Sequence, residues 1–352
     1  MIKLRNLALG LPSGFSLAIA ALDIRQGEIF SIIGPNGAGK TTLLNIFGLL
    51  QEFKDGGLEI AGKDARDPAN KTSLRRDMAY VFSRPYLADD TVYNNVALPL
   101  KFRGARDSGA VAGMLELFKI AGLKDRNANQ LSQGERHRVS LARAFVTRPR
   151  LVLLDEPFSS LDARGKEAIV RDLRKIIRAA GTTVALVTQD QGEALALADT
   201  MAVMQAGRVL QQAVPQEIFS KPASKDVADF VGIETILAGE ITGKSENLCS
   251  VTAGDRTLEV VSECDKGDSV FVCVRPEAVS VSKTAEANSA RNHFKGRINS
   301  AEPWRLEYKL VIDCGFNLIA AVTKQSVDNM GLKAGDEVFA SFKATAAHLI
   351  KR

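Results

Sequence analysis

The segment GPNGAGKTT, from Gly34 to Thr42, follows directly after EIFSII, a short apolar run from Glu28 to Ile33. The apolar run predicts a buried strand. Beyond the segment, apolar residues recur at helical spacing: Leu43, Leu44, Ile46, Phe47 and Leu50. A glycine-rich loop between a strand and a helix N-terminus favours an anion, because free backbone N–H groups and the helix dipole both attract it. The pattern GxxxxGK[ST] in this context therefore predicts a phosphate-binding loop.

Each residue type in this loop has a physical reason to be there. The glycines allow the backbone to wrap closely around an anion. Lys40 places a positive charge near the β- and γ-phosphates of a nucleotide, and the Thr41 hydroxyl completes the coordination of Mg²⁺. We therefore expect ATP and Mg²⁺ as cofactors, against the alternative of a glycine-rich turn without a ligand. The predicted nucleotide-binding residues of the loop are Gly34, Pro35, Asn36, Gly37, Ala38, Gly39, Lys40, Thr41 and Thr42.

A second apolar strand is predicted in RLVLLDEP, from Arg150 to Pro157, and it ends in two carboxylates. Parallel sheets present their ligands at the carboxyl ends of the strands. Asp155 is the predicted metal ligand, and Glu156 is placed to accept a proton from an attacking water. A solvated strand end is the alternative, but it fits poorly after four apolar residues.

Between these motifs lies LSQGERHRVSLARAF, from Leu131 to Phe145. Ser132 and Glu135 fit an S-x-x-E capping box, which predicts a helix that begins at Ser132. By itself, this pattern indicates only where a helix starts.

The order of these motifs, followed by SSLD from Ser159 to Asp162, resembles the ATP-binding cassette of the ABC transporter family. The resemblance covers residues 1–235 and implies an α/β fold: a P-loop NTPase with a RecA-like core and a helical subdomain at about residues 84–150. It also implies a homodimer at turnover. Each ATP would lie between one copy's phosphate loop and the other copy's Ser132, Gln133 and Gly134.

Two positions depart from the pattern of the family. Ser83 stands where the family usually has a glutamine that contacts Mg²⁺ and water, and Gln189 stands where it usually has a histidine that binds the γ-phosphate. Serine is too short to span the same gap without a water, whereas glutamine still donates a hydrogen bond but carries no charge. We expect slow hydrolysis by a working ATPase, with Glu156, Gln189 and Lys40 as catalytic residues and Ser83 at the nucleotide site.

The family also places an aromatic residue against adenine, and Phe15 is the only aromatic residue before Phe30. Phe15 lies in LPSGFSLAIAALDI, a stretch with strand-like alternation. The sequence leaves two roles for this side chain, which are stacking on adenine and packing in the sheet.

The segment SRPYLADDTVYNNVALPL, from Ser83 to Leu100, resembles the part of the cassette that receives a helix from the transmembrane partner. Tyr86 and Leu87 are the candidate contact residues, because large apolar side chains on loops often serve interactions. Val92 and Val96 are instead expected in the core of the subdomain.

Beyond Ile236 the sequence changes to short β-type segments, which predicts an all-β, OB-like region at residues 236–352. Within it, SARNHFKGRI (Ser289–Ile298) and SFKATAAHL (Ser341–Leu349) resemble the Mop-type (TOBE) domain, at residues 288–352. The resemblance implies an oxyanion site, with a domain that serves only as a dimer contact as the alternative. The candidate oxyanion residues are Ser289, Arg291, Asn292, Lys343, Ala344 and Thr345.

Composition narrows the classes of partner. No apolar run is long enough to span a bilayer, and the N-terminus does not resemble a secretory signal. The net charge of +5 comes from basic and acidic residues that alternate, so nucleic acid is not implied. The four cysteines lack metal-ligand spacing and are expected to be buried thiols.

These features together predict the ATPase subunit of an ABC importer, peripheral on the cytoplasmic face of the inner membrane. The expected partners are permease subunits and an extracytoplasmic solute-binding protein that acts through them. Molybdate or tungstate is the predicted cargo, with an oxyanion also possible as a ligand of the tail. Two alternatives remain: an importer ATPase for sulfate, sugar or another small solute, and a cytosolic oxyanion-binding module with weak or no ATPase activity. An ABC protein acting on DNA or the ribosome fits less well, because the sequence has neither a long coiled-coil insertion nor a second cassette.

Overall fold

The computed structural model describes residues 1–12, 14–159, 163–285, 288–304 and 306–352, with the backbone alone for residues 163–165. The chain divides into two units, Met1–Pro215 and Gln216–Arg352. The strands of the first unit are β1 (Ile2–Gly10), β2 (Ser16–Ile24), β3 (Ile29–Ile33), β4 (Asp55–Ile60), β5 (Lys63–Asp64), β6 (Met78–Val81), β7 (Leu151–Asp155), β8 (Thr183–Val187), β9 (Thr200–Gln205) and β10 (Arg208–Ala213). Its helices are α1 (Lys40–Phe47), α2 (Pro68–Arg76), α3 (Val92–Phe102), α4 (Ser108–Leu117), α5 (Gln133–Phe145), α6 (Ala163–Ala180) and α7 (Gln191–Leu197).

The central sheet of the first unit has six strands in the order β10-β9-β3-β8-β7-β6. All neighbouring pairs are parallel except β9 and β10. Every residue of β3, β7 and β8 is buried, as expected for a parallel sheet covered on both faces. Because β3, β8 and β7 are adjacent, the loops that follow them meet at one edge of the sheet. The phosphate loop and the Asp155–Glu156 pair start from this edge, as the sequence predicts.

A smaller antiparallel sheet in the order β2-β1-β4-β5 completes the strands of this unit. Its apolar face packs in the same core cluster as one side of the central sheet. Phe15 lies in the turn between β1 and β2, next to the phosphate loop.

Helices α3, α4 and α5 form the helical part predicted between β6 and β7. Val92 and Val96 are completely buried in its core, which confirms the expectation for both. Tyr86 is 74% exposed, whereas Leu87 is half-buried and packs against the helical core. Helix α4 spans Ser108–Leu117, because Asp107 caps its start and the chain leaves helical geometry at Phe118.

The second unit begins at the start of α8 (Pro215–Ser220) and contains α9 (Lys225–Phe230) and α10 (Lys324–Met330). Its strands are β11 (Thr235–Ser245), β12 (Leu248–Ala253), β13 (Arg256–Val261), β14 (Ser269–Val274), β15 (Ser280–Ser282), β16 (Asn292–Trp304), β17 (Glu307–Asp313), β18 (Asn317–Thr323), β19 (Glu337–Phe342) and β20 (Ala347–Lys351). They form two sheets, in the orders β13-β12-β11-β14-β20 and β15-β19-β16-β17-β18.

The two sheets of this unit exchange their end strands. The C-terminal strand β20 pairs with β14 of the first sheet, and β15 pairs with β19 of the second. The Mop-type (TOBE) segment at residues 288–352 is therefore not a separate sheet, because its last strand pairs in the first sheet and β15, from before this segment, pairs in the second. One continuous core joins both sheets, because residues of both pack in a single apolar cluster.

Residues 216–235, which the sequence assigns to the cassette, belong to the second unit. The His348 imidazole of β20 lies 3.1 Å from the carbonyl oxygen of Pro222, just before α9, and Lys225 of α9 lies over the ring of Phe271 on β14. The change in composition near Ile236 therefore marks the first strand of the unit rather than its start.

The cysteines all lie in the second unit and are free thiols. Cys249, Cys273 and Cys314 are buried as predicted, whereas Cys264 is half-buried. Burial raises the pKa of Cys273 to about 12 and that of Cys314 to about 11. These two thiols are therefore poor nucleophiles at neutral pH. Among the described helices, none combines the length and apolar character needed to cross a membrane.

The exchange of strands predicts that β20 stabilises the whole second unit. Leu349 is buried opposite Val272, so Leu349→Ala should lower the free energy of unfolding by about 2–5 kcal/mol. Urea unfolding followed by the fluorescence of Trp304, the only tryptophan in the chain, reports on this unit. The exposed Val261 provides the control Val261→Ala, expected to change the value by less than about 0.5 kcal/mol. Equal effects of both substitutions would contradict the packing of β20.

Candidate functional site

The phosphate loop closes around the side chain of its own lysine. Lys40 Nζ donates hydrogen bonds to the carbonyl oxygens of Gly34 at 2.8 Å and Pro35 at 2.9 Å. Burial lowers the pKa of Lys40, although the nearby carboxylates of Glu156 and Asp155 oppose this shift. The lysine thus holds the loop curved while its charge stays close to the centre of the site.

Two glycines of the loop cannot carry a side chain without a clash. Gly34 has a φ of 153°, and a Cβ there would lie 2.0 Å from the carbonyl oxygen of Met204. Gly39 has a φ of 95°, and its Cβ would lie 2.8 Å from the ring of Phe15. The loop therefore depends on glycine for both its conformation and its close packing.

A cavity of about 400 Å³ opens above this loop. Its lining residues are Leu11, Phe15, Asn36, Gly37, Ala38, Gly39, Lys40, Thr41, Thr42 and Glu156. Phe15 both lines the cavity and packs against the core of the small sheet, so the structure gives it both surroundings considered from the sequence. Leu11 was not predicted, and the only signal in the sequence is an apolar residue just after β1.

Thr41, which lines the cavity, contacts the side chain of Asp155. The Thr41 hydroxyl donates to Asp155 Oδ1 at 3.0 Å. Asp155 is only 6% exposed, and burial raises its pKa despite the hydrogen bond from Thr41. A hydroxyl and a carboxylate oxygen fit Mg²⁺, which is usually held by one or two protein oxygens together with phosphate oxygens and water. This pair is the predicted metal site. In the described parts of the chain, no cluster of three or more His, Cys, Asp or Glu side chains could hold a metal ion.

Glu156 follows in a strained backbone conformation. Its φ of 43° lies in the left-handed region, which costs a non-glycine residue about 1–3 kcal/mol. The conformation is fixed from both sides, because its N–H donates to Val187 at 2.9 Å and its carbonyl accepts from the Ser159 hydroxyl at 3.1 Å. The strain turns the carboxylate toward the cavity. The rest of the SSLD motif, residues 160–162, lies outside the described residues.

Ser83 and Gln189 lie on the neighbouring strand ends but do not line the cavity. Gln189 is exposed. The preceding residue, Thr188, donates its N–H to the carbonyl oxygen of Ile32 at 3.2 Å. Ser83 is half-buried, and its carbonyl oxygen lies 3.3 Å from Nε2 of the buried His137 on α5. The sequence did not single out His137, because a histidine within a helix gives no signal of such a contact.

The motif LSQGE starts α5 as predicted. Ser132 is the N-cap, and the capping box is complete: Glu135 Oε2 accepts from the Ser132 N–H at 2.7 Å, and the Ser132 hydroxyl accepts from the Glu135 N–H at 3.4 Å. These hydrogen bonds lower the pKa of Glu135. Ser132 and Gln133 are exposed and Gly134 is half-buried, and none of the three lines the cavity of its own chain. They are therefore accessible to a second molecule.

In the second unit, the two segments predicted to bind an oxyanion meet at the end of β16 and β19, where Asn292 pairs with Phe342. The Asn292 amide is already used: it accepts from the Glu259 N–H at 2.9 Å and donates to the Glu259 carbonyl at 2.8 Å. Arg291 pairs with the Glu259 carboxylate at 3.1 Å. Ser289, Lys343 and Thr345 are exposed, and Ala344 is buried.

Comparison with protein families identifies two regions. The family model described as ABC transporter matches residues 17–159, which contain the phosphate loop, the LSQGE motif and the Asp155–Glu156 pair. The model described as TOBE domain matches residues 288–349.

Among characterised proteins, this chain is similar to the molybdate/tungstate import ATP-binding protein of Pyrococcus horikoshii, with 34% identity over 95% of this chain and 96% of the relative. It is also similar to the spermidine/putrescine import ATP-binding protein of Trichormus variabilis, with 38% identity over 79% of this chain and 74% of the relative. Among solved structures, this chain is similar to the dimeric ATP-binding cassette MJ0796, in a post-hydrolysis state bound to ADP and Pi. The match covers 61% of this chain and 99% of that chain, with 31% identity and a TM-score of 0.56.

The raised pKa of Asp155 predicts a cost in stability before nucleotide and metal arrive. Between its usual pKa of 3.8 and the raised value, the folded protein binds more protons than the unfolded chain, so stability falls as the pH rises through this window. Asparagine carries no charge, so Asp155→Asn should raise the melting temperature of the nucleotide-free protein at pH 7, and the gain should shrink toward pH 4. Differential scanning calorimetry at both pH values measures this, with the exposed Asp55→Asn as the control. A lower melting temperature for Asp155→Asn at pH 7 would contradict it.

Proposed function

This chain belongs to the ABC transporter family, and from that premise we propose that it is the ATP-hydrolysing subunit of an importer for an oxyanion, molybdate or tungstate. The observation that carries the ATPase part is the convergence of Lys40, Thr41 and Glu156 on one cavity, with Asp155 hydrogen-bonded to Thr41. These residues supply a cation for the phosphates, oxygen ligands for a metal and a base that accepts a proton from water.

In the proposed reaction, the chain's own residues bind and orient the nucleotide. The N–H groups at the start of α1 and the Lys40 ammonium bind the β- and γ-phosphates, while Thr41 and Asp155 hold Mg²⁺. Bound Mg²⁺ neutralises charge on the phosphate oxygens. Glu156 orients the attacking water and accepts its proton, and Gln189 donates a hydrogen bond to the γ-phosphate from the adjacent strand end. Because the Gln189 amide is neutral, it stabilises the developing charge less than a cation would.

The second wall of each nucleotide site is proposed to come from another copy of this chain. Ser132 and Gln133 lie exposed at the N-terminus of α5, where orphan N–H groups and the helix dipole favour a phosphate. The dimeric cassette with ADP and Pi supports such an arrangement for this family. We further propose that Tyr86, at 74% exposure, contacts permease subunits at the cytoplasmic face of the membrane. An extracytoplasmic solute-binding protein would deliver the solute to these permease subunits.

Two observations support an oxyanion as the cargo. The match to the molybdate/tungstate import protein extends over 95% of this chain and so includes most of the second unit. In that unit, Ser289, Arg291, Lys343 and Thr345 offer hydroxyls and cations at one sheet end, which suit a tetrahedral dianion. A polyamine cargo is the second candidate, favoured by the match to the spermidine/putrescine import protein. Polyamines are cations, so the exposed Lys343 would repel them from this sheet end, whereas the charge of Arg291 is already paired with Glu259.

The proposed role of Glu156 predicts a specific loss. Glu156→Gln keeps the shape of the side chain but cannot accept a proton, so the kcat for ATP hydrolysis should fall by about 100-fold or more while ATP still binds. Phosphate release measures the rate, and a fluorescent ATP analogue measures binding. The exposed Glu116 on α4 provides the control Glu116→Gln, which should match the parent chain. Full activity in Glu156→Gln would remove Glu156 from the proposed mechanism.

The oxyanion proposal predicts binding by the isolated chain. Isothermal titration with molybdate or tungstate should show saturable heat that is lost in the double variant Arg291→Ala/Lys343→Ala and kept in the control Lys333→Ala, which alters an exposed lysine of the same unit. Sulfate and spermidine titrations test the other cargoes. Saturable heat with spermidine alone would contradict the oxyanion proposal and favour the polyamine importer.

A further inference from the structure

The loop that carries Gln189 is held in place by a cluster of four side chains, which we call the Lys166 cluster: Lys166, Thr188, Asp190 and Glu193. Lys166 Nζ on α6 contacts Asp190 Oδ2, and it lies 2.5 Å from Glu193 Oε1. The other carboxylate oxygen of Glu193 accepts a hydrogen bond from the Thr188 hydroxyl. One ammonium group therefore connects α6 to both ends of the loop around Gln189.

The Lys166–Glu193 ion pair is poorly solvated, because the side chain of Glu193 is 4% exposed and that of Lys166 is 24% exposed. The side chain of Asp190 is more open to water, at 43% exposure. Burial disfavours the charged form of Lys166, but hydrogen bonds with Asp190 and Glu193 outweigh it and raise its pKa. Burial likewise opposes the charged form of Asp190, whose pKa is nevertheless lowered, chiefly by the hydrogen bond from Lys166. Lys166 thus holds its geometry through two ion pairs, of which the one with the buried Glu193 is the less accessible to water.

The backbone on either side of Gln189 is fixed by the same residues. The Asp190 N–H donates to the Thr188 hydroxyl oxygen at 3.0 Å, and the Glu193 N–H donates to Asp190 Oδ1 at 3.0 Å as the cap of α7. The Thr188 N–H donates to Ile32, one residue before the end of the strand that leads into the phosphate loop. Gln189 is exposed between two anchored neighbours, so its backbone has little freedom to move.

We propose that Lys166 is a positioning residue for ATP hydrolysis, which acts by holding the Gln189 loop in register with the phosphate loop. The inference rests on the proposed role of Gln189 as a donor to the γ-phosphate. A neutral amide is attracted to phosphate less strongly than a charged side chain is. The contribution of Gln189 to catalysis therefore depends more on the protein holding its amide in the right position before the nucleotide binds. The Lys166 cluster supplies that placement from α6, which begins just after the SSLD motif.

The test uses Lys166→Met, which keeps the length of the side chain but removes its charge, and Lys166→Arg, which keeps the charge. Because Lys166→Met leaves Glu193 buried without its cation, the double variant Lys166→Met/Glu193→Gln is made as well, so that a folded protein without the ion pair is available. Lys175→Met, which alters an exposed lysine on the same helix, is the control. The melting temperature of each full-length variant is measured first.

The kinetic expectation separates positioning from a general loss of structure. The kcat for ATP hydrolysis should fall by about 10- to 100-fold in Lys166→Met/Glu193→Gln, while the KM for ATP changes by less than about 2-fold. Lys166→Arg should keep most of the activity, and Lys175→Met should keep all of it. A parent-like kcat in the double variant, or an increase in KM equal to the loss of kcat, would overturn the proposal.

A thermodynamic cycle with Gln189→Ala shows whether Lys166 acts through Gln189. If it does, adding Gln189→Ala to Lys166→Met/Glu193→Gln lowers kcat by less than about 2-fold further. Losses that multiply would overturn the inference, because Lys166 would then act by another route. If Gln189→Ala alone leaves kcat unchanged, the proposed role of Gln189 fails first, and the inference about Lys166 is overturned with it.

Discussion

The parallel pairing of β7, β8 and β3 is the constraint on which the nucleotide site depends. Each strand contributes a different group at its carboxyl end: the phosphate loop after β3, Asp155 and Glu156 at β7, and Gln189 after β8. The phosphate loop precedes the other two groups by more than 100 residues in the sequence, yet the hydrogen-bond register of the sheet places all three at one edge. The strands are buried on both faces, so their apolar packing fixes the positions of polar groups that would repel each other if brought together alone.

The polar groups at this edge are costly to the protein without its ligands. Burial lowers the pKa of Lys40 and raises that of Asp155, and Glu156 adopts a strained backbone conformation. In the proposed function, a phosphate beside Lys40 and a cation beside Asp155 would offset the first two costs, so binding and the organisation of the site would be coupled. The Lys166 cluster differs from these groups, because its charges are paired with each other without a ligand. It holds the neighbouring loop in place before any ligand binds.

Much of the cassette is predictable from the sequence because its signals are local. The glycines and Lys40 of the phosphate loop, the capping box at Ser132 and the apolar strand before Asp155 each depend on residues close together in the chain. The contact between Lys166 and Glu193 joins helices α6 and α7, and no pattern within either helix indicates it. The exchange of β20 into the first sheet of the second unit was missed for the same reason, since strand alternation predicts a strand but not its partner. The pairing of Arg291 with Glu259 likewise requires the fold, because the two residues are on different strands.

The central claim is that one ATP site is built from two copies of the chain, with Lys40 from one copy and Ser132 from the other. Mixing two inactive variants, Lys40→Ala and Ser132→Arg, tests it most directly. Random pairing places one intact site in half of the dimers, so the account predicts recovery of about a quarter of the parent ATPase activity per chain. If the mixture remains as inactive as either variant alone, although both variants are folded and exchange partners, the site is not shared between copies and the account is contradicted.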